Sequence, residues 1–348
     1  MINLHLLIPS LFWHMSSQPE IYSGLQTPSL ESLLAKGSQT RRPSQGIEAS
    51  LCNTFGIAKQ QNWPLAPIML AAEEMGSIKV EKEYWLRADP VHLRIEQNHI
   101  LLADRQVFKV SIKESQQLAD VLNKHFAREK LVFLPLSPDR WYLHATNVPN
   151  IHTYTLSQVT GKNINDFLPS GKDSMIWHNI FNEIQMLLHD HPINQARQER
   201  GELTINSIWF WGGGFMPESI SSPYTQIWSN DSLPRALARA SSTEHAILPP
   251  NAEIWQQSTT PGNHLVVLDD LWRKSQYNDA YGWRENLKTL EQNWFSPLFT
   301  SLQRGEINQF RLTTLNENST MNFTVTRKSL WKFWCRTKPL STYMIFQP

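Results

Sequence analysis

The sequence predicts an α/β protein in which a parallel-sheet core is interrupted by an inserted α+β domain. Short apolar segments alternate with helical patterns near both ends of the chain, and this alternation is typical of a parallel sheet with right-handed crossovers. Between about Leu65 and Leu188 the pattern changes to short alternating segments with several prolines, which indicates a separate domain. We therefore predict a core of residues 1–64 and 200–348 and an insert of residues 65–199.

Composition restricts the class of protein. The chain has 348 residues and 41% apolar content, enough for about two domains with a large core. A net charge of +1 gives no overall field toward nucleic acid or membranes, and no apolar run approaches the roughly 20 residues of a membrane span. Cys52 and Cys335 are too few for a disulfide framework, and they suit a reducing compartment, so we expect a cytoplasmic protein without membrane contact.

The first strand and helix of the core have clear boundaries. Leu4–Ile8 is apolar except for His5 and ends at Pro9-Ser10, as expected of a buried strand. In the following helix, Thr27 and Pro28 suit the N-terminus and Gly37 suits the C-terminus. Its apolar stripe consists of Leu30, Leu33 and Leu34.

Further core elements follow later in the chain. The predicted strands are Ile205–Trp211, Leu265–Leu268 and Phe310–Leu315. A helix precedes the last strand and is bent at Pro297. Its apolar face consists of Leu287, Leu290, Trp294, Leu298 and Leu302. Residues 217–262 are rich in proline and serine and are predicted to be mostly loop.

The segment from His189 to Gly214 contains the strongest motif. A helix with apolar residues at Trp177, Phe181, Ile184 and Leu188 ends before Pro192, a short charged helix follows, and strand Ile205–Trp211 ends in three glycines. We interpret the glycines as a turn at the carboxyl end of a strand, where ligands bind in open α/β sheets.

This segment resembles the archaeal-type, cofactor-independent phosphoglycerate mutases of the alkaline phosphatase superfamily. The similar residues are His191-Pro192-Ile193-Asn194, Arg197, Gly201, Asn206, Ile208-Trp209 and the glycines. The resemblance implies an alkaline-phosphatase-like core with a mutase-type insert. It also implies phosphoryl transfer through a serine held beside two divalent metals.

The chain departs from that family where the catalytic residues are expected. Pro9-Ser10 occupies the place of the first metal ligand, and Ile47 occupies that of the serine, with Ser44 and Ser50 nearby. No histidine follows His264, whereas the family's late metal ligands include several histidines. The remaining carboxylates include Asp269, Asp270 and Asp279, and oxygen ligands alone can hold hard cations. We nevertheless predict no catalytic residue, no metal and no cofactor.

Ligand-binding residues are predicted from the same resemblance. Arg87, in Trp85-Leu86-Arg87-Ala88-Asp89, resembles a substrate-binding arginine of the mutases, and guanidinium groups grip phosphate well. A structural salt bridge between Arg87 and Asp89 is the alternative. The predicted set, which would bind a phosphorylated small molecule, is Arg87, Asp89, His191, Asn194, Arg197, Arg200 and Asn206.

A basic, tryptophan-containing helix is predicted after Thr326. Tryptophans interleaved with basic residues can contact nucleic acid or an acidic protein. The alternative is an amphipathic helix docked by its tryptophans. The basic residues that would contact a partner are Arg327, Lys328, Lys332 and Arg336.

Together these patterns favour a phosphoglycerate-mutase-like protein that has lost metal-dependent phosphoryl transfer and acts as a ligand-binding or regulatory protein. Function depends on the site rather than on the fold. One alternative is an active mutase or phosphatase with a rebuilt centre, which would make the chain an isomerase of the mutase type. Another is a nucleic-acid or protein interaction module that uses the basic C-terminal helix.

Overall fold

The protein forms two compact units. The structure, a computed structural model, describes residues 1–14, 19–73, 80, 82–96, 99–316 and 318–343. Unit 1 comprises residues 1–55 and 221–348, and unit 2 comprises residues 56–220. The boundaries predicted from the sequence lie between residues 64 and 65 and between residues 199 and 200.

Strands and helices are numbered here in chain order. The strands are β1 (Ile2–Leu7), β2 (Ser38–Pro43), β3 (Trp85–Glu96), β4 (His99–Ala103), β5 (Leu131–Ser137), β6 (Arg140–Ala145), β7 (Ser207–Gly214), β8 (Gln226–Trp228), β9 (Glu244–Ala246), β10 (Gly262–Val267), β11 (Ile307–Leu315) and β12 (Ser319–Thr326). The α-helices are α1 (Pro28–Lys36), α2 (Ile47–Thr54), α3 (Leu65–Ala72), α4 (Ile112–His125), α5 (Leu156–Val159), α6 (Ser174–His189), α7 (Pro192–Glu199), α8 (Ser232–Ala240), α9 (Ala252–Ser258), α10 (Asp270–Gln276), α11 (Ala280–Leu290) and α12 (Ser296–Arg304).

Unit 1 contains the predicted parallel sheet. Its strand order is β2-β12-β11-β1-β10-β8-β9, in which β11, β1, β10, β8 and β9 run parallel. At one edge β12 and β2 pair antiparallel. The predicted strands near Leu4, Leu265 and Phe310 are β1, β10 and β11, so the mixed α/β class with a parallel-rich core is confirmed.

Helices α11 and α12 form one continuous rod that packs against this sheet. The five apolar side chains predicted for its inner face are all buried. A wider π-helical turn at Glu291–Phe295 joins the two helices just before Pro297, which lacks an N–H to donate. Within that turn, the carboxylate of Glu291 accepts the backbone N–H groups of Ser29 at 2.7 Å and Leu30 at 3.1 Å. The side chain of Thr27 makes no cap bond, so Glu291 supplies the cap of α1.

Residues 217–262 are more ordered than the sequence predicted. They include β8, α8, β9 and α9, and the side chains of Leu237 and Trp255 are buried. The prediction of a mostly loop region was wrong because strands of three residues are too short to show a period of two.

Unit 2 is built on a second, antiparallel sheet. Its order is β4-β3-β6-β5, and β7 also pairs antiparallel with β3. Assigning Ile205–Trp211 to the parallel core was therefore wrong. Every residue of β7 is buried, and a continuously apolar strand gives no indication of the direction of its neighbours.

The three glycines also lie inside β7 rather than in a turn, which corrects a second interpretation. A Cβ on Gly213 would lie 2.5 Å from the hydroxyl of Tyr84, and a Cβ on Gly214 would lie 2.7 Å from Cβ of Pro64. The glycines therefore allow other parts of unit 2 to approach the strand closely.

The helix predicted to end before Pro192 and the short charged helix after it are present as α6 and α7. Helix α6 buries Trp177, Phe181, Ile184 and Leu188, as expected from their spacing. Helix α4 begins with a capping box between Ser111 and Glu114. Across the described ranges, no helix is long and apolar enough to cross a bilayer.

Candidate functional site

The carboxyl ends of β1, β10 and β11 form the edge where the family resemblance places a metal centre. After β1, Ser10 has a positive φ of 55°. Its backbone N–H donates to the carbonyl of Leu315 at 2.9 Å, and its carbonyl accepts the indole N–H of Trp283 at 2.8 Å. The loop that follows the first strand is thus tied to β11 and α11 through its backbone, and Pro9 adds no ligating side chain.

Two of the carboxylates considered as cation ligands form ion pairs with basic side chains. Asp269 accepts hydrogen bonds from Nε and Nη2 of Arg273 at 2.9 and 2.5 Å. Burial raises the pKa of Asp269, and Arg273 opposes that rise. Asp279 accepts from Nζ of Lys274 at 2.9 Å, and this bond lowers the pKa of Asp279. Within the residues that the structure describes, no group of three or more His, Cys, Asp or Glu side chains is arranged to hold a metal ion.

A hydrogen-bonded group formed by His14, Ser275 and Asn278 lies beside these ion pairs. Nδ1 of His14 is 3.0 Å from Oγ of Ser275, and Nε2 is 3.0 Å from Oδ1 of Asn278. In the neutral tautomer with its proton on Nε2, the ring donates to the amide oxygen of Asn278, and Nδ1 can accept the hydroxyl proton of Ser275. Sequence reasoning missed this group because its members are 261 residues apart and share no motif.

The position expected for the nucleophile is the first residue of α2. That residue is Ile47, and it follows Gly46, which has a φ of 86°. Oγ of Ser44 accepts the N–H of Gly46 at 3.4 Å. Ser50 lies in the first turn of α2, where its N–H donates to the carbonyl of Gly46. Ser44 and Ser50 are therefore the hydroxyls that the local chain provides near that position.

In unit 2, Arg87 and Asp89 form a buried ion pair. Asp89 Oδ1 accepts from Nε and Nη2 of Arg87 at 3.2 and 2.6 Å and from the backbone N–H of Trp141 at 3.1 Å. Its Oδ2 accepts the indole N–H of Trp211 at 2.8 Å. The guanidinium also lies over the rings of Tyr142 and Trp211, 5.0 and 5.1 Å from their centroids. The structural salt bridge weighed as the alternative for Arg87 is thus present.

The motif residues His191, Asn194 and Asn206 also make internal contacts. Nδ1 of His191 accepts the N–H of Ile193 and caps α7, and burial lowers the pKa of His191. The amide of Asn194 donates to the carbonyls of Leu188 and Ile205 and accepts the N–H of Ile205. Asn206 exchanges two hydrogen bonds with the backbone of Leu93.

The arginines Arg197 and Arg200 lie together beside a cleft of about 800 Å³. Nη1 of Arg197 and Nη2 of Arg200 both reach Oε1 of Glu114 at 3.1 Å, and Arg200 also pairs with Glu202. Although burial opposes it, hydrogen bonds from Ser111 and Arg197 hold the pKa of Glu114 below its usual value. Nη1 of Arg197 also lies 3.4 Å from Oε2 of Glu202, and its Nε and Nη2 donate to backbone carbonyls, whereas half of the Arg200 side chain is exposed. The structure thus brings these two predicted residues together and places Arg87 in its own ion pair.

The predicted basic helix near the C-terminus is wrong. Thr326 caps only a 3₁₀ turn at Arg327–Trp331, and the side chains of Trp331 and Trp334 are exposed rather than docked. A short helix needs packing to persist, and without buried tryptophans that packing is lacking.

Comparison with known proteins supports the resemblance inferred from the sequence. The sequence profile of the family described as 2,3-bisphosphoglycerate-independent phosphoglycerate mutase matches residues 69–194, which lie within unit 2. The chain is 31% identical over 138 residues to the 2,3-bisphosphoglycerate-independent phosphoglycerate mutase of Methanosarcina mazei, covering 38% of this chain and 35% of that protein. It is 31% identical over 207 residues to the protein of the same name from Methanosarcina acetivorans, covering 57% of this chain and 51% of that protein. The matches therefore span about a third to a half of these relatives' lengths.

A solved structure shares the fold. The PH0037 protein from Pyrococcus horikoshii aligns with a TM-score of 0.55 at 12% identity, over 93% of this chain and 87% of that chain. The parallel-rich sheet of unit 1 and the second sheet inserted into its sequence define an alkaline-phosphatase-like α/β protein, as predicted. Residues 69–194 are thus similar in sequence to the 2,3-bisphosphoglycerate-independent phosphoglycerate mutases.

Proposed function

We propose that this phosphoglycerate-mutase-like protein has lost metal-dependent phosphoryl transfer and acts by binding a ligand, as a regulatory protein. The observation that carries the proposal is the pairing of Asp269, just after β10, with Arg273 and of Asp279, at the start of α11, with Lys274. Each pairing satisfies a carboxylate oxygen and neutralises negative charge that would otherwise attract a divalent cation. Ile47 at the expected nucleophile position adds a side chain that cannot attack phosphorus.

The cleft beside Arg197 and Arg200 supports binding of a phosphorylated small molecule. Its volume, about 800 Å³, lies in the usual range for small-molecule sites. Its lining contains three basic side chains, including the exposed Lys109, against the two carboxylates of Glu114 and Glu202. Arg200 and Lys109 are the cations whose exposure would let them approach an anion. The unpaired cysteines suit a reducing compartment, so we place this binding role in the cytoplasm.

Turnover of 3-phosphoglycerate, measured with and without added Mn²⁺, tests the loss of catalysis. We expect no Mn²⁺-dependent turnover above the rate without protein, and elemental analysis of the purified protein should detect no stoichiometric Mn, Zn or Mg. Two tightly held transition-metal ions per chain, together with Mn²⁺-dependent turnover, would show that the proposal is wrong.

Thermal unfolding with phosphate and with 3-phosphoglycerate tests the binding role. A ligand at about a hundredfold excess over its Kd stabilises the folded state by about 2.7 kcal/mol. We expect the ligand to raise the thermal unfolding midpoint of the unaltered protein, and we expect this rise to be lost in Arg200→Ala and Lys109→Ala. The matched control is Lys172→Ala, which removes an exposed lysine of the same unit outside the cleft. If the ligand still raised the unfolding midpoint of both cleft variants, the anion would bind elsewhere.

A second candidate function is catalysis by a rebuilt centre, and the contact between His14 and Ser275 is the observation that favours it. An imidazole nitrogen that accepts a serine hydroxyl can act as its general base. Phosphatase or mutase turnover that disappears in both His14→Ala and Ser275→Ala would establish this alternative. Turnover abolished by Ser44→Ala or Ser50→Ala would instead assign the nucleophile to the segment around Ile47.

A further inference from the structure

Three large aromatic side chains are exposed just beyond the end of β12. Trp331, Phe333 and Trp334 have 78%, 87% and 67% of their surface exposed. Apolar surface of this size costs free energy in water, and a contiguous group of exposed aromatic rings marks a contact surface. We refer to residues 331–338, which contain these rings, as the aromatic segment.

The aromatic segment lies in a strongly positive stretch of a nearly neutral chain. Residues 318–348 contain no aspartate or glutamate. Their basic residues are Arg327, Lys328, Lys332, Arg336 and Lys338. Charge complementarity therefore requires an anionic partner.

The base of the aromatic segment is anchored to unit 1. Nζ of Lys36, in the last turn of α1, donates to the carbonyl of Leu330 at 2.9 Å. In return, Nζ of Lys332 donates to the carbonyl of Lys36 at 3.4 Å. The rings therefore project from a turn that is fixed at its base, so docking would not require the whole segment to fold first.

We propose that the aromatic segment docks the protein on the surface of an anionic phospholipid bilayer. Tryptophan and phenylalanine would lie at the boundary between headgroups and acyl chains, where amphipathic aromatic rings partition favourably. The four exposed basic side chains, Arg327, Lys328, Arg336 and Lys338, would lie among the anionic headgroups, with their methylene stems along the apolar boundary. Such contact is peripheral and needs no membrane-spanning helix, and it departs from the expectation, drawn from the net charge of +1, that the protein makes no membrane contact.

The ring geometry favours a bilayer over single-stranded nucleic acid. The rings of Phe333 and Trp334 meet at 82° with centroids 5.0 Å apart, so they do not form a parallel platform for successive bases. At exposures of 67% to 87%, the rings are not backed by protein as a stacking surface usually is. A symmetric contact with a second copy of this chain would bring two groups of five positive charges together, which Coulomb repulsion opposes.

Co-sedimentation of the full chain with vesicles tests this proposal. One set of vesicles is pure phosphatidylcholine, and the other contains roughly 30% phosphatidylserine as its anionic component. We expect binding to the anionic vesicles, weaker binding at high salt, and little binding to the neutral vesicles. Lys328→Glu and Arg336→Glu should each lower the partition coefficient by about fivefold or more, because each replaces a favourable positive charge near the surface by a negative one.

Aromatic variants separate this role from charge alone. Trp331→Ala/Trp334→Ala keeps every basic residue, and we expect it to abolish most vesicle binding while leaving the thermal unfolding midpoint unchanged. Tyr281→Ala is the matched control, because it removes another aromatic side chain of unit 1 that is 76% exposed. Equal binding of the double variant and the unaltered protein would overturn the proposal. So would tight binding to a single-stranded oligonucleotide without vesicle binding, which would assign the surface to nucleic acid.

Discussion

Arg87 and Asp89 lie two residues apart on β3, and their side chains form an ion pair with an Nη2 to Oδ1 distance of 2.6 Å. Both side chains are 3% exposed. Arg87→Ala would leave Asp89 buried without its cation, and breaking such a pair costs about 3–5 kcal/mol. We expect that loss in the free energy of unfolding measured by urea denaturation. A smaller loss combined with weaker phosphate binding would instead assign Arg87 to ligand recognition.

Arg94 and Glu96 provide a matched control on the same strand. They have the same spacing, with Nε to Oε1 at 3.1 Å, but their side chains are 69% and 43% exposed. Because solvent screens this pair, Arg94→Ala should change the free energy of unfolding by less than about 1 kcal/mol.

The residues of the sequence motif could be found from the sequence, but their roles could not. His191 caps a helix and Asn194 ties two backbone segments together. Residue types alone do not distinguish a side chain that binds a ligand from one that satisfies the backbone, because both roles use the same donors and acceptors. Spatial partners distinguish them, and the partner of Arg197 is Glu114, 83 positions away.

Replacement of Asn194 should reveal its structural role. Its buried amide joins the end of α6 to the residue before Asn206 through three hydrogen bonds at 2.7 to 2.9 Å. Asn194→Ala leaves those backbone groups unsatisfied, and we expect a loss of about 2–4 kcal/mol in the free energy of unfolding. Urea denaturation measures this loss. An Asn194→Ala protein of unchanged stability would contradict the structural role.

A helix could be predicted from the sequence where one of its faces is buried, because the apolar residues then recur at regular intervals. The helix faces of α6 and α12 are examples, since every third or fourth residue is apolar and buried. Strand β7 could not be placed, because its sequence is apolar throughout and says nothing of which strand it pairs with. The glycines of β7 were misinterpreted because the residues that approach them closely, Tyr84 and Pro64, are far away in the sequence.

The close approach of Tyr84 to Gly213 predicts a coupled pair of substitutions. Gly213→Ala places a Cβ 2.5 Å from the Tyr84 hydroxyl, and overpacking of this kind costs about 1–3 kcal/mol. Tyr84→Phe removes that oxygen, leaving the ring carbon at 3.1 Å as the next contact. We expect the double variant to recover part of the loss in thermal unfolding. Strict additivity of the two substitutions would contradict this contact.

A partly buried chain of hydrogen bonds passes through His5, the polar exception in β1. Its Nδ1 lies 2.6 Å from the hydroxyl of Tyr224, and its Nε2 lies 2.7 Å from Oγ1 of Thr313. Thr313 donates onward to Oδ1 of Asn322 at 2.5 Å. Thr313 therefore accepts from Nε2–H, and Nδ1 accepts from Tyr224, which is the pattern of a neutral imidazole. Burial, with a further contribution from the charge of Arg311, lowers the pKa of His5 to about 3.

This neutral histidine should make stability fall on acidification. Between pH 6.5, the ordinary pKa of His5, and about 3, the unfolded chain binds a proton that the folded chain does not. The stabilising contribution is complete above pH 6.5 and is lost as the pH falls through that window. Relative to His5→Gln, we expect the free energy of unfolding of the unaltered protein to fall by about 1.4 kcal/mol more per pH unit. Urea denaturation from pH 8 to 4 measures how the free energy of unfolding of each protein depends on pH. The two curves should be parallel above pH 7. Curves that are also parallel at pH 5 would show that His5 is protonated in the folded protein.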